Sequence, residues 1–417
     1  MSMRTGLRAV EIEGHVVDVL LDGDLVAAIG TDVLSTADEI VDGDGGALLP
    51  GLHDHHVHLL AMAARRAGPD LDGVDGVEAA DGLLRAAVRA ERTRVGGYDE
   101  HRHGPMDRMR LDRVGEGAVL RVQHRTGLSW VLSSSALHRV EATSGLGSSS
   151  IERDEHGRPT GWIHRDDALL LSVFGPNAPD LAPVGRELAR VGITGVTDAT
   201  HALGPRIDVL RSARASDALP QHLVLLGIDA PVDDLASMGP AKMLVDEMLD
   251  LDPSSLAEAI ASVHARGRAV ALHAVSRAEC VLAVTALREA GAFPGDRIEH
   301  GSVLPTELDG LLVAAGIAVV VQPSLVRERG DGYLATVDPD DLAHLHRAAS
   351  LLRAGVTVSV GSDAPVTTID PWAAIATAAD RRTRLGEVLG GDEAVPARVA
   401  LGWYPVSYTH LTLPTIL

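Results

Sequence analysis

The stretch Leu52-His53-Asp54-His55-His56-Val57-His58 packs four imidazoles and a carboxylate into seven residues, directly after a Pro50-Gly51 turn. If this stretch is extended, successive side chains alternate, so Asp54, His56 and His58 share one face while His53 and His55 share the other. Two imidazoles at i and i+2 on an inward face can hold one divalent ion through their ring nitrogens. His53 and His55 are then expected among the helices as packed or hydrogen-bonded neighbours. A bare His-x-His is common by chance, so its weight depends on what else comes near it.

Three further apolar runs close on residues of the same chemistry. Val270-Ala271-Leu272 ends in His273, Arg297-Ile298-Glu299 in His300, and Val360-Gly361-Ser362 in Asp363. Any one of them could be a satisfied core polar group; four histidines and an aspartate meeting at one place is a far less probable accident. A fourth run, Ala241-Lys242-Met243-Leu244-Val245, holds the chain's single lysine among 37 basic residues. A buried lysine facing metal ligands can be neutral, or react with carbon dioxide to give an anionic carbamate. Arginine stays protonated and cannot do this, which gives one lysine a purpose where arginine serves everywhere else.

These residues need a scaffold that brings strand ends together. From residue 49 onward, short β-branched runs alternate with Ala/Leu/Arg-rich stretches at helical spacing, the pattern of βα units and a parallel sheet. Eight strands are expected: Leu52–Leu60, Ile193–Thr200, His222–Ile228, Ala241–Asp246, Ala269–Val275, Arg297–Glu299, Ile317–Pro323 and Val356–Asp363. Helices are expected at Ser254–Arg266, Arg277–Ala290 and Asp340–Ala354. The fold class is therefore α/β, a (β/α)8 TIM-type barrel over residues 49–390, whose active sites sit at the C-terminal ends of the strands. Residues 1–48 alternate apolar and polar with Asp-Gly turns and read as antiparallel hairpins of a small β-sandwich domain. A long insertion, about 65–190, follows strand one. It carries a helix near Asp81–Gly96, strands at Ala118–His124 and Ser129–Leu132, and a turn-rich stretch, Glu152–Gly161; this length suits a lid or a substrate-shaping unit. Residues 391–417 are expected to be a truncated and non-native tail, because from Val406 the Ala/Arg/Asp usage is abandoned.

Bulk composition narrows the field. The chain has 417 residues, 46% of them hydrophobic but only 2% aromatic, so a large core must be built from Ala, Val and Leu. A formal charge of −21 repels nucleic acid and anionic membrane surfaces. One cysteine, Cys280, excludes an internal disulfide framework and fits a reducing compartment. No apolar run approaches the ~20 residues of a membrane span, and Met1 to Val10 lack the apolar segment expected of a secretory signal. The expectation is a cytoplasmic enzyme with a small-molecule substrate, compatible with a homo-oligomer.

With Leu49-Pro50-Gly51-Leu52-His53-Asp54-His55-His56-Val57-His58, Lys242, Leu272-His273-Ala274-Val275, Ile298-Glu299-His300-Gly301, Val321-Gln322-Pro323 and Gly361-Ser362-Asp363-Ala364-Pro365-Val366 on the page, the chain resembles the amidohydrolase superfamily. Within it, the similarity is to the amidohydrolase 3 branch, which includes N-substituted formamide deformylases. The resemblance implies one or two divalent ions, Zn2+ first among them, held by His56, His58, His273 and His300 with a carbamylated or bridging Lys242. Asp363 would be ligand and general base, and His300 would help polarise the scissile carbonyl. Two departures stand out: Asp246-Glu247 replaces the usual Asp-Gly pair after the lysine's strand, and the C-terminal strands that complete the small sandwich are not found. The implied reaction is metal-assisted hydrolysis of a non-peptide carbon–nitrogen bond. Its rivals are a deaminase of an aminated heterocycle at the same metal site, and a truncated non-catalytic relative.

Outside this set, His124 and Trp130 in the insertion, His201 after strand two and Arg327 after strand seven are candidates for touching substrate. His101 and His103, in a polar loop, are expected to be solvated.

Overall fold

The computed structural model describes residues 3–23, 25–90, 93–144, 149–175, 179–201, 203–227, 235–245 and 252–405. The last residues of the expected strands ending at Ile228 and Asp246, the Asp246-Glu247 pair, and residues 406–417 lie outside the described residues.

The amino-terminal segment folds into β1 (Arg4–Ile12), β2 (His15–Asp22), β3 (Leu25–Gly30) and β4 (Glu39–Asp42), in the sheet order β3-β2-β1-β4. The β1–β2 turn uses Glu13 and Gly14, both at positive φ (49° and 85°), the backbone that matches the twist of a tight hairpin. β1–β2 and β2–β3 pair antiparallel, as the Asp-Gly punctuation suggests, while β4 returns parallel to β1. Val10, Val19 and Leu20 are buried; Val16, Leu25, Ile29, Ile40 and Val41 remain exposed.

β5 (Leu52–Val57) begins the main body. Between it and the next strand of its sheet lies a separate five-stranded sheet made of β6 (Arg94–Tyr98), β7 (Arg121–His124), β8 (Ser129–Leu132), β9 (Ile151–Arg153) and β10 (Pro159–His164). The turn-rich Glu152–Gly161 segment is the antiparallel β9–β10 hairpin. The helix expected from Asp81 runs instead over Val77–Arg89. This sheet has its own cores, one around Leu71, Leu84, Tyr98 and Leu111, the other around Trp130, Leu132 and Ile163.

The main body continues with β11 (Ile193–Asp198), β12 (His222–Leu225), β13 (Ser237–Met238), β14 (Ala241–Leu244), β15 (Val270–Ala274), β16 (Arg297–His300), β17 (Ala318–Val321) and β18 (Val358–Val360). One parallel sheet has the order β13-β12-β11-β5, and the other runs β14-β15-β16-β17-β18. Each of the eight expected strands overlaps one of these; the two-residue β13 is additional. Backbone bonds join the sheets at both edges. Lys242 N donates to Leu226 O (2.7 Å) beyond β12; Asp363 N donates to His56 O (2.7 Å), and His58 N to Ala364 O (2.9 Å). Gly361 lies where β18 meets β5, and a Cβ there would come within 2.7 Å of His56 N.

Helices cover the parallel strands. Arg277–Ala290 begins with a reciprocal capping box between Ser276 and Glu279. The single helix expected over Asp340–Ala354 is instead two, Pro339–Leu342 and Ala349–Ala354. The break has a cause: His346 N bonds Ser302 O (2.7 Å) with φ at 50°, and Arg347 is buried against Asp309 (2.6 Å). The main core runs from Leu52 through Val395, Ala400, Trp403 and Tyr404. The boundary expected at residue 390 therefore falls inside the packed body, and residues 391–405 belong to it. Among the described residues, no helix is long and apolar enough to cross a membrane.

Candidate metal centre

The centre forms where the C-terminal ends of the parallel strands converge. β5 delivers His56, fully buried, and leads into His58, the residue just ahead of the helix Leu59–Arg66. β18 leads to Asp363, which is 8% exposed. Asp363 Oδ1 lies 3.5 Å from His56 Nε2 and 3.3 Å from His58 Nε2. Among the described residues, His56, His58 and Asp363 are the group whose ligand atoms all fall within 4.8 Å of one another.

The other expected ligands pack around this group without joining that span. The His300 ring centroid is 4.7 Å from that of His56, and the His273 centroid is 4.6 Å from that of His300. Lys242 Nζ is 3.5 Å from His56 Nε2, and the residue is 2% exposed.

His300 and Asp363 both hold positive φ (73° and 56°), a conformation that costs a non-glycine residue on the order of 1 kcal/mol. At His300 the consequence is visible. Regular alternation would send Glu299 and His300 to opposite faces, yet Glu299 bonds His56 and the His300 ring lies, tilted, beside that same imidazole. Asp363 is held in its turn by its own N–H on His56 O and by its carbonyl, which accepts from Val366 N (2.8 Å).

Hydrogen-bond partners fix which nitrogens face the centre. Burial would raise the Glu299 carboxyl, but Arg297, His56 and Lys242 outweigh it and hold it well below the usual carboxylate range. An ionised carboxylate only accepts, so His56 Nδ1–H donates to Glu299 Oε2 and His56 Nε2 is left with its lone pair. Gln322 Nε2 donates to Val320 O (3.0 Å), which turns its Oε1 to accept from His300 Nδ1–H (3.0 Å). Burial, and then the charge of Lys242, push the His56 imidazole down to about 3. Burial likewise lowers His273 and His300. For Asp363, burial opposes ionisation, but the bond from His58 and the fields of His56 and His300 bring its pKa below the ordinary range. Burial also lowers Lys242 against the attraction of Glu299 and Asp363. The arrangement is thus a buried carboxylate beside the imidazoles of His56 and His300, whose Nδ1 atoms are committed to Glu299 and Gln322.

Asp54 shares the inward face only formally. Its Oδ1 accepts from the backbone N–H groups of His56 and Ser362 (both 3.0 Å), tying β5 to the segment after β18. His53 Nε2 meets Thr197 Oγ1 (2.8 Å), the hydrogen-bonded role expected of it, whereas His55 Nε2 is buried with no hydrogen-bond partner among the described residues.

The candidate substrate contacts fare differently. His201 Nδ1–H donates to Lys242 O (2.7 Å), which keeps it beside the centre. His124 is engaged by Glu100 (2.9 Å) and Thr126 (2.8 Å). Trp130 is a core residue of the inserted sheet, with its indole N–H on Asp167 Oδ1 (2.8 Å). Arg327 is exposed. His101 is exposed, but His103 is fully buried, accepting from Asp99 N (3.0 Å) and bonding Val74 O (2.9 Å), contrary to its expected solvation. Sequence reading missed Glu299 and Gln322, although both lay inside the quoted stretches Ile298-Glu299-His300 and Val321-Gln322-Pro323. For Glu299, a carboxylate next to a candidate ligand was the available signal; Gln322 offered none.

Known proteins resemble this chain over nearly its whole length. A family model described as the amidohydrolase family matches residues 39–404. The N-substituted formamide deformylase of Arthrobacter pascens is 25% identical, over 94% of this chain and 85% of its own length. Two solved structures share the fold, both described as uncharacterized metal-dependent hydrolases and both 17% identical over 96% of this chain. The one from Pyrococcus horikoshii has a TM-score of 0.74 over 91% of its chain, and the one from Pyrococcus furiosus 0.71 over 93%. With the family match covering nearly the whole described body, this chain belongs to the amidohydrolase family and is a hydrolase of carbon–nitrogen bonds.

Proposed function

We propose that this enzyme hydrolyses an amide, with N-substituted formamides the first class to test, at a divalent-metal site built from His56, His58, Lys242, His273, His300 and Asp363. The observation that carries the reading is the approach of His56, His58 and Asp363 to within 4.8 Å through their ligand atoms. The donor set fits a borderline ion such as Zn2+: imidazole nitrogens, an ionised carboxylate, and outer partners that orient the rings of His56 and His300. Such an ion, when bound, polarises a carbonyl and lowers the pKa of water toward neutrality.

The chain's own residues then account for the proton. Asp363 takes it from the attacking water on a carboxylate oxygen and returns it to the leaving nitrogen. The C–N bond breaks, hydroxyl joins the carbonyl carbon, and nitrogen leaves as an amine. His300 adds a neutral, oriented imidazole beside the carbonyl. Burial favours the neutral amine of Lys242, the form that adds to carbon dioxide and releases a proton to become a carbamate.

For the architecture, we assign the two parallel sheets to a single (β/α)8 barrel over residues 49–404, with the β6–β10 unit as an insertion of about residues 65–190. The edge-to-edge backbone bonds and the Pyrococcus folds support this reading. The β1–β4 sheet over residues 1–48 would be one layer of a small sandwich, its exposed apolar side chains facing a second layer. The single buried thiol of Cys280 suits a reducing, cytoplasmic setting.

The test is a screen of the metal-loaded protein against amides and formamides beside aminated heterocycles, with metal content measured in parallel. Amide cleavage is expected, lost on chelation and on Asp363→Asn by about 100-fold or more, and regained when Zn2+ is restored to the parent. Full activity after either treatment would sink the mechanism. Ammonia released from the heterocycles alone would favour the deaminase.

A further inference from the structure

The helix Leu59–Arg66 begins immediately after His58, and near its end Arg65 reaches the turn that carries Asp363. Arg65 Nη1 donates to Pro365 O (2.5 Å), two residues past Asp363. Its other nitrogens serve the segment that leads to the inserted sheet. Nε donates to Asp70 Oδ2, while Nη2 donates to Asp70 Oδ1 (3.1 Å) and lies 2.7 Å from Asp72 Oδ2. All three nitrogens of the guanidinium are thus engaged, and its side chain is only 24% exposed. Burial opposes its charge, but Asp70 and Asp72 outweigh burial and raise its pKa.

Three successive carbonyls of the turn are held from three directions. Asp363 O accepts from Val366 N within the turn (2.8 Å), Ala364 O from His58 N at the end of β5 (2.9 Å), and Pro365 O from Arg65. The third bond leads to the inserted sheet. Its anchor, Asp70, sits in a short ladder with β6, where Gly96 N donates to Pro69 O (3.0 Å) and Leu71 N to Gly96 O (2.9 Å). The Asp70 carboxylate presses on Gly97, at φ 76°, where a Cβ would come within 2.2 Å of Oδ1. Asp70 Oδ1 also accepts from Asp72 N (2.8 Å), and Asp72 is held in turn by Arg102 Nη1 (3.3 Å).

A guanidinium gripped by two carboxylates has little freedom left, because charge-assisted, forked bonds fix its plane as well as its position. Its remaining N–H therefore holds Pro365 O at a place set by the inserted sheet. We propose that Arg65 is a positioning residue for Asp363, and that through it Asp70 transmits the seating of the inserted sheet to the metal centre. The inference takes the role of Asp363 as ligand and general base from the function proposed above, whereas the link itself stands on the bonds of Arg65.

The test follows hydrogen–deuterium exchange on the full chain and Zn2+ affinity by chelator competition. The variants are Arg65→Met, Arg65→Lys, Asp70→Asn and the Arg65→Met/Asp70→Asn double. In Arg65→Met the amides of residues 361–368 should exchange about 10-fold faster, and Zn2+ affinity should fall by about 10- to 100-fold, the usual worth of an outer partner. Arg65→Lys, which keeps charge without the fork, should lie between, as should Asp70→Asn, whose residue does not touch the turn. The double variant should bind Zn2+ no more weakly than Arg65→Met alone, because both changes break one link. Arg158→Met, at an exposed ion pair of the β9–β10 hairpin, should match the parent in both measurements. Parental exchange at 361–368, or faster exchange confined to β6–β10, overturns the proposal, since Arg65 would then only steady the insertion. Unchanged Zn2+ affinity, or additive losses in the double variant, also overturns it. If the parent binds no Zn2+, the metal reading fails separately, and exchange at 361–368 in Arg65→Met and Asp70→Asn decides the link alone.

Discussion

His56 shows how much of the centre depends on residues that never approach the substrate. Its Nδ1 is committed to Glu299, which is itself held ionised by Arg297 (2.6 Å). Glu299→Gln replaces an acceptor with an amide that can donate to His56 and reset its tautomer. We expect Zn2+ affinity to fall by about 10- to 100-fold, measured by competition with a chromophoric chelator, while the denaturation midpoint moves less. The six ligand candidates could be proposed from sequence because each stands at or near a strand end or is alone of its type, and the structure brings His56, His58 and Asp363 together. Glu299 and Gln322 were not proposed. Strand alternation hides Glu299, since the positive φ at His300 brings two successive side chains to one place, and Gln322 follows β17 with no candidate ligand beside it.

At the level of elements, the approach of β18 to β5 decides whether Asp363 reaches the two histidines. Gly361 permits it, because any Cβ there would strike the His56 backbone. Gly361→Ala should therefore destabilise the fold by about 1–3 kcal/mol in urea titration, and it should also reduce metal content, since the strands must separate to admit the methyl. An equally stable variant with full metal occupancy would contradict this account. Strand positions were readable because buried parallel strands form short β-branched runs. The broken helix at 343–348 was not, since its helical composition is overridden by tertiary bonds from Ser302 and Asp309.

Across the whole molecule, the final described residues close the core. Trp403 and Tyr404 are buried in the same cluster as Leu52 and Val57, and Tyr404 O accepts from His53 N (3.2 Å) at the strand that bears the first ligands. Trp403→Ala should cost about 3–5 kcal/mol, seen as a lower midpoint in thermal or urea unfolding. A loss below about 1 kcal/mol would mean that the segment is peripheral. The change of composition that sequence reading took as the end of the packed protein lies close to this point, but the apolar Trp-Tyr pair on its near side belongs to the interior.

The solitary Lys242, buried beside His56, makes this chain unusually simple to interrogate by spectroscopy. A protein with dozens of lysines gives an unreadable background when exposed to 13C-labelled bicarbonate. Here the side chains offer one amine, so a protein-bound carbamate carbon resonance that disappears in Lys242→Arg has a single assignment. The same arithmetic makes amine-directed labelling a gauge of the interior: side-chain modification would report the opening of one buried address.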